Sequence, residues 1–210
     1  MVNEEKKMIR FVPGVDRGNF TDPSYHLPAF DELWARWGPV ADRTFWAEAA
    51  IASRNFFQRA TDRKTGLAPD YANFDGTPHT EKWNKHAGDF SYDAWRTASN
   101  WSVDWSWWAK DPRERQLSDR IQTFFASQGV TIYGDQFTLD GAPLSGHHST
   151  GLVSTNAVAS LAATLPQSKE FVEALWNAQI PSGEQRYYDG MLYMLSLLHC
   201  SGQFRIWTPK

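Results

Sequence analysis

The chain has 210 residues, a net charge of −3, 41% hydrophobic residues and 21% charged ones, the balance of an ordinary globular protein. That charge gives no electrostatic reason to expect nucleic acid or an anionic membrane as partner, and no run is apolar enough to span a bilayer. One cysteine, Cys200, excludes an internal disulfide framework, and residues 1–10 lack the apolar centre of a secretory signal, so a cytoplasmic location is expected.

In chain order, Ile9-Arg10-Phe11-Val12 reads as a short extended piece closed by Pro13-Gly14. Asp22-Pro23-Ser24-Tyr25-His26-Leu27-Pro28 makes a stiff lead into a helix at about 29–37, with Phe30, Leu33, Trp34 and Trp37 at helical spacing. Gly38-Pro39 stops it. A second helix follows over 41–60, where Phe45, Trp46, Ala49, Ala52, Phe56 and Phe57 recur with a period near 3.6. Residues 65–89 are polar and too long for a bare connection, as functional loops tend to be. The spacing then predicts helices over 92–108, 112–127, 152–163, 168–177 and 184–200. A small hairpin or turn pair is expected over 130–144, from Gly134 and Asp140-Gly141, and a short terminal strand at Ile206-Trp207. The result is an all-α chain whose helices are joined alternately by short turns and long polar loops. That alternation predicts stacked helical hairpins with the long loops gathered on one face. A half-circle of such hairpins leaves two apolar edges, so the chain reads as incomplete.

The 11 Trp, 7 Tyr and 13 Phe stand out. Aromatic rings interleaved with Asp, Asn, His and Arg suit sugars, whose C–H faces stack on flat apolar surfaces while their hydroxyls need polar partners. A core that simply uses large residues accounts for most of the tryptophans.

Asp22, Asp89, Asp93, Asp104 and Asp189 are candidate acids in or near aromatic-rich turns. Asp93, in Gly88-Asp89-Phe90-Ser91-Tyr92-Asp93-Ala94-Trp95-Arg96, lies where an irregular segment turns into a helix. It either caps that helix or points into a cleft as a general base, with Arg96 one turn on to keep it ionised. Arg96 otherwise reads as an ordinary surface ion pair. His147-His148 lacks a third ligand at useful spacing, so no metal and no cofactor is expected, and a histidine bonded to a substrate hydroxyl fits better. Tyr25, Tyr187 and Tyr188 read equally as cleft or core residues.

Phe11-Val12-Pro13, Asp22-Pro23-Ser24-Tyr25-His26-Leu27-Pro28, Thr65-Gly66-Leu67-Ala68-Pro69, Tyr92-Asp93-Ala94-Trp95-Arg96, Gly151-Leu152-Val153-Ser154-Thr155-Asn156-Ala157 and Arg186-Tyr187-Tyr188-Asp189-Gly190-Met191-Leu192-Tyr193 occur in one order. Together they resemble the C-terminal half of glycoside hydrolase family 8, most of all its reducing-end xylose-releasing exo-oligoxylanases. The resemblance implies an (α/α)6 toroid of twelve helices, inversion at the anomeric carbon, and a β-1,4-linked xylo-oligosaccharide or xylan as substrate. It implies that residues 1–210 are one domain, the C-terminal portion of the catalytic domain. It implies Asp93 as the general base beside Tyr92 and Arg96, with Tyr25 and Tyr187 or Tyr188 around the cleaved bond. His148 matches the loop position that contacts the reducing-end xylose, although His147-His148-Ser149 stands where that loop reads Leu-His-Pro. The family's acid, a glutamate in a Thr-Glu-Gly-type segment, has no counterpart in these residues, so a missing N-terminal half-barrel is the expected partner. A β-1,4-glucanase of the same family, a non-catalytic carbohydrate-binding remnant and a decayed fragment are the alternatives.

Overall fold

The computed structural model describes residues 1–14 and 18–208. It is all-α apart from one antiparallel ribbon, in which β1 (Val2–Asn3) pairs with β2 (Met8–Ile9), Val2 opposite Ile9. Seven α-helices follow among the described residues: α1 (Pro28–Trp37), α2 (Arg43–Ala60), α3 (Trp95–Trp108), α4 (Arg113–Gln128), α5 (Thr150–Ala159), α6 (Ser168–Asn177) and α7 (Tyr188–Cys200). Along the chain each odd helix packs on the next odd one, α1 on α3, α3 on α5 and α5 on α7. The even helices back them, α2 on α1, α4 on α3 and α6 on α5. The odd helices thus form an inner row and the even ones an outer row. Short turns lead outward and long segments lead back in.

Local chemistry sets the ends. Pro28 opens α1 at the position where a missing N–H costs nothing, and Gly38 closes it where a Cβ would lie 2.6 Å from the Trp34 carbonyl oxygen. Ala109 ends α3 in the left-handed region at φ 47°. The most enclosed helix is α5, with Gly151 to Ala159 all buried and no charged residue. Its small side chains let α3, α6 and α7 approach from three sides. The main core joins Trp95, Trp101, Leu117, Ile121, Phe125, Phe137, Leu152 and Phe171 across α3 to α6.

A buried ion network ties α1, α2 and α3. Arg54 of α2 makes a two-pronged pair with Asp104 of α3, Nε to Oδ2 at 2.7 Å and Nη2 to Oδ1 at 2.9 Å, and reaches Glu32 of α1 at 2.9 Å. Lys110 and Arg36 complete the shell of Glu32. Asp104, a candidate acid by sequence, is therefore a fully buried structural anion rather than a cleft residue.

One further expectation is met and two are corrected. The segment at 130–144 forms a pair of turns, as expected: the Ile132 and Tyr133 N–H groups close on the Gly129 carbonyl, and Phe137 bridges Pro143 across a turn in which the Gly141 N–H meets the Thr138 carbonyl, while Phe137 also pairs with Phe90 on the approach to α3. Ile206-Trp207 forms neither a strand nor a bridge with any of the described residues. The helix expected over 152–163 starts earlier, at Thr150 under the Ser149 cap, and stops at Ala159 in a tight turn. The two apolar edges are present. Trp34, Trp37 and Val40 stand exposed on α1 and the turn after it. Met191, Met194, Leu195 and Leu198 stand exposed along α7, at the spacing of a stripe that normally faces a core. No helix among the described residues is long and apolar enough to cross a membrane.

Candidate active site

The N-terminal ends of the inner helices meet at one rim. Asn100 and Arg96 of α3 both reach Ser24 before α1, Tyr188 of α7 reaches the turn before α3, and Ser149 at the head of α5 bonds Asp189 of α7 at 3.0 Å. The long segments 61–91, 129–149 and 178–187 arrive at this rim, which is the predicted gathering of loops on one face. Helix N-termini carry partial positive charge, so carboxylates are favoured there.

Asp93 sits in a single 3-10 turn, Tyr92–Ala94, that leads into α3, where the sequence predicted continuous helix. Both flanks of the turn are anchored. Phe90 exchanges backbone hydrogen bonds with Phe137 at 2.8 and 3.1 Å, and buried Trp95 donates its indole N–H to the Asp135 carbonyl at 3.0 Å. Between these anchors Tyr92 takes φ 35°, a left-handed conformation unusual for a bulky residue and of the kind that concentrates at functional sites. The turn turns Asp93 outward, its side chain 33% exposed. Asp93 does not cap the helix. That role belongs to Asp70, whose Oδ1 accepts the Ala94 N–H at 3.3 Å from the preceding loop.

Two donors orient Asp93. Arg96 Nη2 lies 2.9 Å from Asp93 Oδ1, and the Tyr188 hydroxyl donates to the same oxygen at 3.1 Å while 3.0 Å from the Tyr92 carbonyl. Arg96 Nη2 also donates to Ser24 Oγ at 2.8 Å and lies 3.9 Å from Asp22 Oδ2. Arg96 is therefore the hub of a cluster and not a surface ion pair. Burial lowers the tendency of its guanidinium to hold a proton, yet Tyr188, Asp93 and Asp22 outweigh that and raise it. Tyr25 is pushed up to about 12, by burial first and then by Asp22 and Asp93. The hydroxyl of Tyr188 is likewise raised by burial and by the carboxylates beside it, so both phenols stay neutral donors.

Of the sequence candidates, Asp93, Tyr92, Arg96, Tyr25 and Tyr188 converge, and Asp22 joins them. Tyr187 does not; it is 79% exposed one residue before Tyr188. Asp89 lies 3.4 Å from His86, and Asp189 supports the head of α5. His148 lies apart from the cluster around Asp93, its ring against Tyr133 and its Nδ1 2.8 Å from the Tyr133 carbonyl, and lines with His147, Gln185 and Asp189 a cavity of about 190 Å³. Its neighbour His147 pairs with buried Asp135 at 2.8 Å and shares with Tyr92, Trp95, Gln136 and Asp189 a cavity of about 180 Å³. A cavity of about 550 Å³ lies between α6 and residues 130–131 and includes His148 but none of the groups around Asp93. Among the described residues no cluster of His, Cys, Asp or Glu is arranged to hold a metal. Asp70, Ser24 and Asn100 belong to the site and were not predicted. Asp70 looks in the sequence like loop punctuation after Pro69, and only its burial marks it.

An outward carboxylate held by an arginine and a phenol, at a rim of aromatics and hydroxyl-bearing side chains, suits activation of water beside a carbohydrate. Residues 12–202 match glycosyl hydrolases family 8. The chain is 43% identical over 209 residues to the reducing-end xylose-releasing exo-oligoxylanase Rex8A of Paenibacillus barcinonensis, covering 99% of this chain and 54% of that protein. It is 28% identical to endoglucanase A of Acetivibrio thermocellus over 88% of this chain and 37% of that one. A crystal structure of a GH8 xylobiose complex from Teredinibacter turnerae superposes with a TM-score of 0.95 at 48% identity, over 98% of this chain and 52% of that one. The chain belongs to glycoside hydrolase family 8. Its two rows of helices are about half of the family's (α/α)6 toroid, and it spans about half the length of these relatives.

Proposed function

We propose that the chain is the base-carrying, C-terminal portion of a hydrolase of β-1,4-linked xylo-oligosaccharides or xylan. Asp93 removes a proton from water as the water oxygen bonds to the anomeric carbon from the face opposite the leaving group. The glycosidic C–O bond breaks in the same step, and the departing oxygen takes a proton from an acid that another segment or chain supplies. The product sugar has inverted configuration. The observation that carries this reading is the geometry of Asp93, outward-facing yet fixed by Arg96 and Tyr188. Xylose appears in the names of the relatives at 43 and 41% identity, and xylobiose in the Teredinibacter complex, which favours a xylan-derived substrate over a glucan.

The partner in this reading is an N-terminal half-barrel. A toroid of twelve helices leaves five to come from elsewhere, two for the inner row and three for the outer. The stripe on α7 and the edge formed by Trp34, Trp37 and Val40 are the margins they would cover.

The test is hydrolysis of xylotriose and xylohexaose by the purified chain and its Asp93→Asn variant, with anomeric NMR of the products and oligosaccharide binding measured in parallel. Binding without turnover is expected. Inverted product from the chain alone, lost in the variant, would remove the need for a second half. Preference for cello-oligosaccharides would overturn the substrate.

A further inference from the structure

Asp22, Asp70 and Asp93 converge from the start of α1, the 61–91 loop and the start of α3, and Arg96 is the cation at their centre. One positive charge balances one carboxylate. The three groups differ in two respects that decide which carries the charge. Asp22 is fully buried and Asp70 is 4% exposed, whereas a third of the Asp93 side chain meets solvent. Asp93 Oδ1 receives both Arg96 and Tyr188, while the other two have no cation in hydrogen-bond contact: Asp22 is held by the backbone and hydroxyl of Ser24, and Asp70 by the backbone N–H groups of Ala94 and Asp93. Asp22 Oδ1 accepts from Ser24 N at 2.7 Å, and its buried Oδ2, 3.9 Å from Arg96 Nη2 and so beyond hydrogen-bond reach of it, has no hydrogen-bond partner among the described residues. A charged carboxylate with a bare oxygen sealed from water is penalised heavily, and a proton on that oxygen removes the charge while leaving the carbonyl-type Oδ1 free to accept.

We propose that Asp22 and Asp70 are neutral, protonated positioning residues that hold the Ser24 and Ala94 backbone while leaving Asp93 as the single anion paired with Arg96. The inference rests on the reading of Asp93 as general base. Asp22 is faced by Arg96 and Asp93 of the α3 segment and by Tyr25 of its own turn. Asp70 is faced by Asp93 and Arg96, by adjacent Tyr71 and by Tyr188 of α7. Burial, reinforced by the Asp93 charge, raises Asp22 to about 8 and Asp70 to about 7. The arrangement concentrates the negative charge on the one carboxylate that water can reach. When the buried pair ionises, three anions compete for Arg96 and the Asp93 turn loosens.

The test is a pH titration of the whole chain labelled with ¹³C at the aspartate carboxyls, assigned with Asp22→Asn, Asp70→Asn and Asp93→Asn. Expected at about pH 6, well above the ordinary aspartate range near 3.9, are protonated carboxyl shifts for Asp22 and Asp70 and an ionised shift for Asp93. Asp22 and Asp70 ionised alongside Asp93 would overturn the inference and leave the base assignment standing. Asp93 protonated while one of the others is ionised would overturn both. Should Asp22→Asn fail to fold, the amide protons of Ser24 and Ala94 in the unaltered chain report the same protonation. Steps in their shifts near pH 7–8 support the inference, and steps confined to the ordinary aspartate range overturn it.

Discussion

The Tyr188 hydroxyl lies 3.1 Å from Asp93 Oδ1 and 3.0 Å from the Tyr92 carbonyl, so the first residue of α7 fixes both the backbone and the side chain of the turn that leads α3. One phenol thereby joins segments 95 residues apart. Tyr188→Phe keeps the ring's contact with Trp95 and removes only the hydroxyl. The expected loss is about 1 kcal/mol in urea denaturation, at the low end for a bond to a charged acceptor because Asp93 is partly solvated. In NMR the Tyr92 and Asp93 amides should shift and those of α5 should not.

Stability should depend on pH through Asp22 and Asp70. A carboxyl whose folded value is raised holds a proton that the unfolded chain has already released, so stability falls as pH climbs from the unfolded value to the folded one. For Asp22 the window runs from about 4 to about 8, and for Asp70 from about 4 to about 7. Asp22→Asn combined with Asp70→Asn should flatten the decline of the melting temperature between about pH 5 and 8. An unchanged slope in the double variant would count against neutral carboxyls.

Arg54 should be among the costliest side chains to remove. It balances Asp104 and Glu32 in the interior, and Arg54→Ala strands Asp104 with no cation at a position fully closed to water. A loss of about 3–5 kcal/mol is expected from chemical denaturation. Arg54→Met with Asp104→Leu should recover most of it, because the pair and not the charge is what the packing requires.

Gly151 lies under the site. A Cβ there would come within 2.7 Å of Asp189 Oδ1 and 3.2 Å of the Trp95 ring. Gly151→Ala should push Asp189 off Ser149 and part the heads of α5 and α7, at a cost of about 1–3 kcal/mol. Loss of the Ser149 cap would appear as fraying of the first turn of α5 in hydrogen exchange.

The helices were legible because their apolar stripes recur every three to four residues. Phe45, Ala49, Ala52 and Phe56 needed no tertiary information, and neither did the stop at Gly38 or the break between 108 and 112. Asp93 and Arg96 were legible as a pair one turn apart, and the aligned family motifs pointed to Tyr25 and to one of two adjacent tyrosines. What the sequence could not supply was direction. Tyr187 and Tyr188 are indistinguishable until α7 is placed, when one faces Asp93 and the other water. Asp104 and Asp22 both read as free acids, yet one is neutralised by an arginine 50 residues away and the other sits beside Arg96 with an oxygen unpaired. Asp70 was invisible because its partner is a backbone N–H contributed by the fold.

The enclosure of α5 bears on how the molecule comes apart. Val153, Thr155 and Val158 are poor helix formers, and no charged side chain supports the helix along its length. Its order is therefore borrowed from the helices around it and assembles only with them. An outer helix such as α6 can fray by itself, but α5 can be released only by opening the whole molecule. Its amides should then exchange at the slow, global limit, and any substitution that loosens its neighbours should be felt first at the rim its Ser149 cap helps to hold.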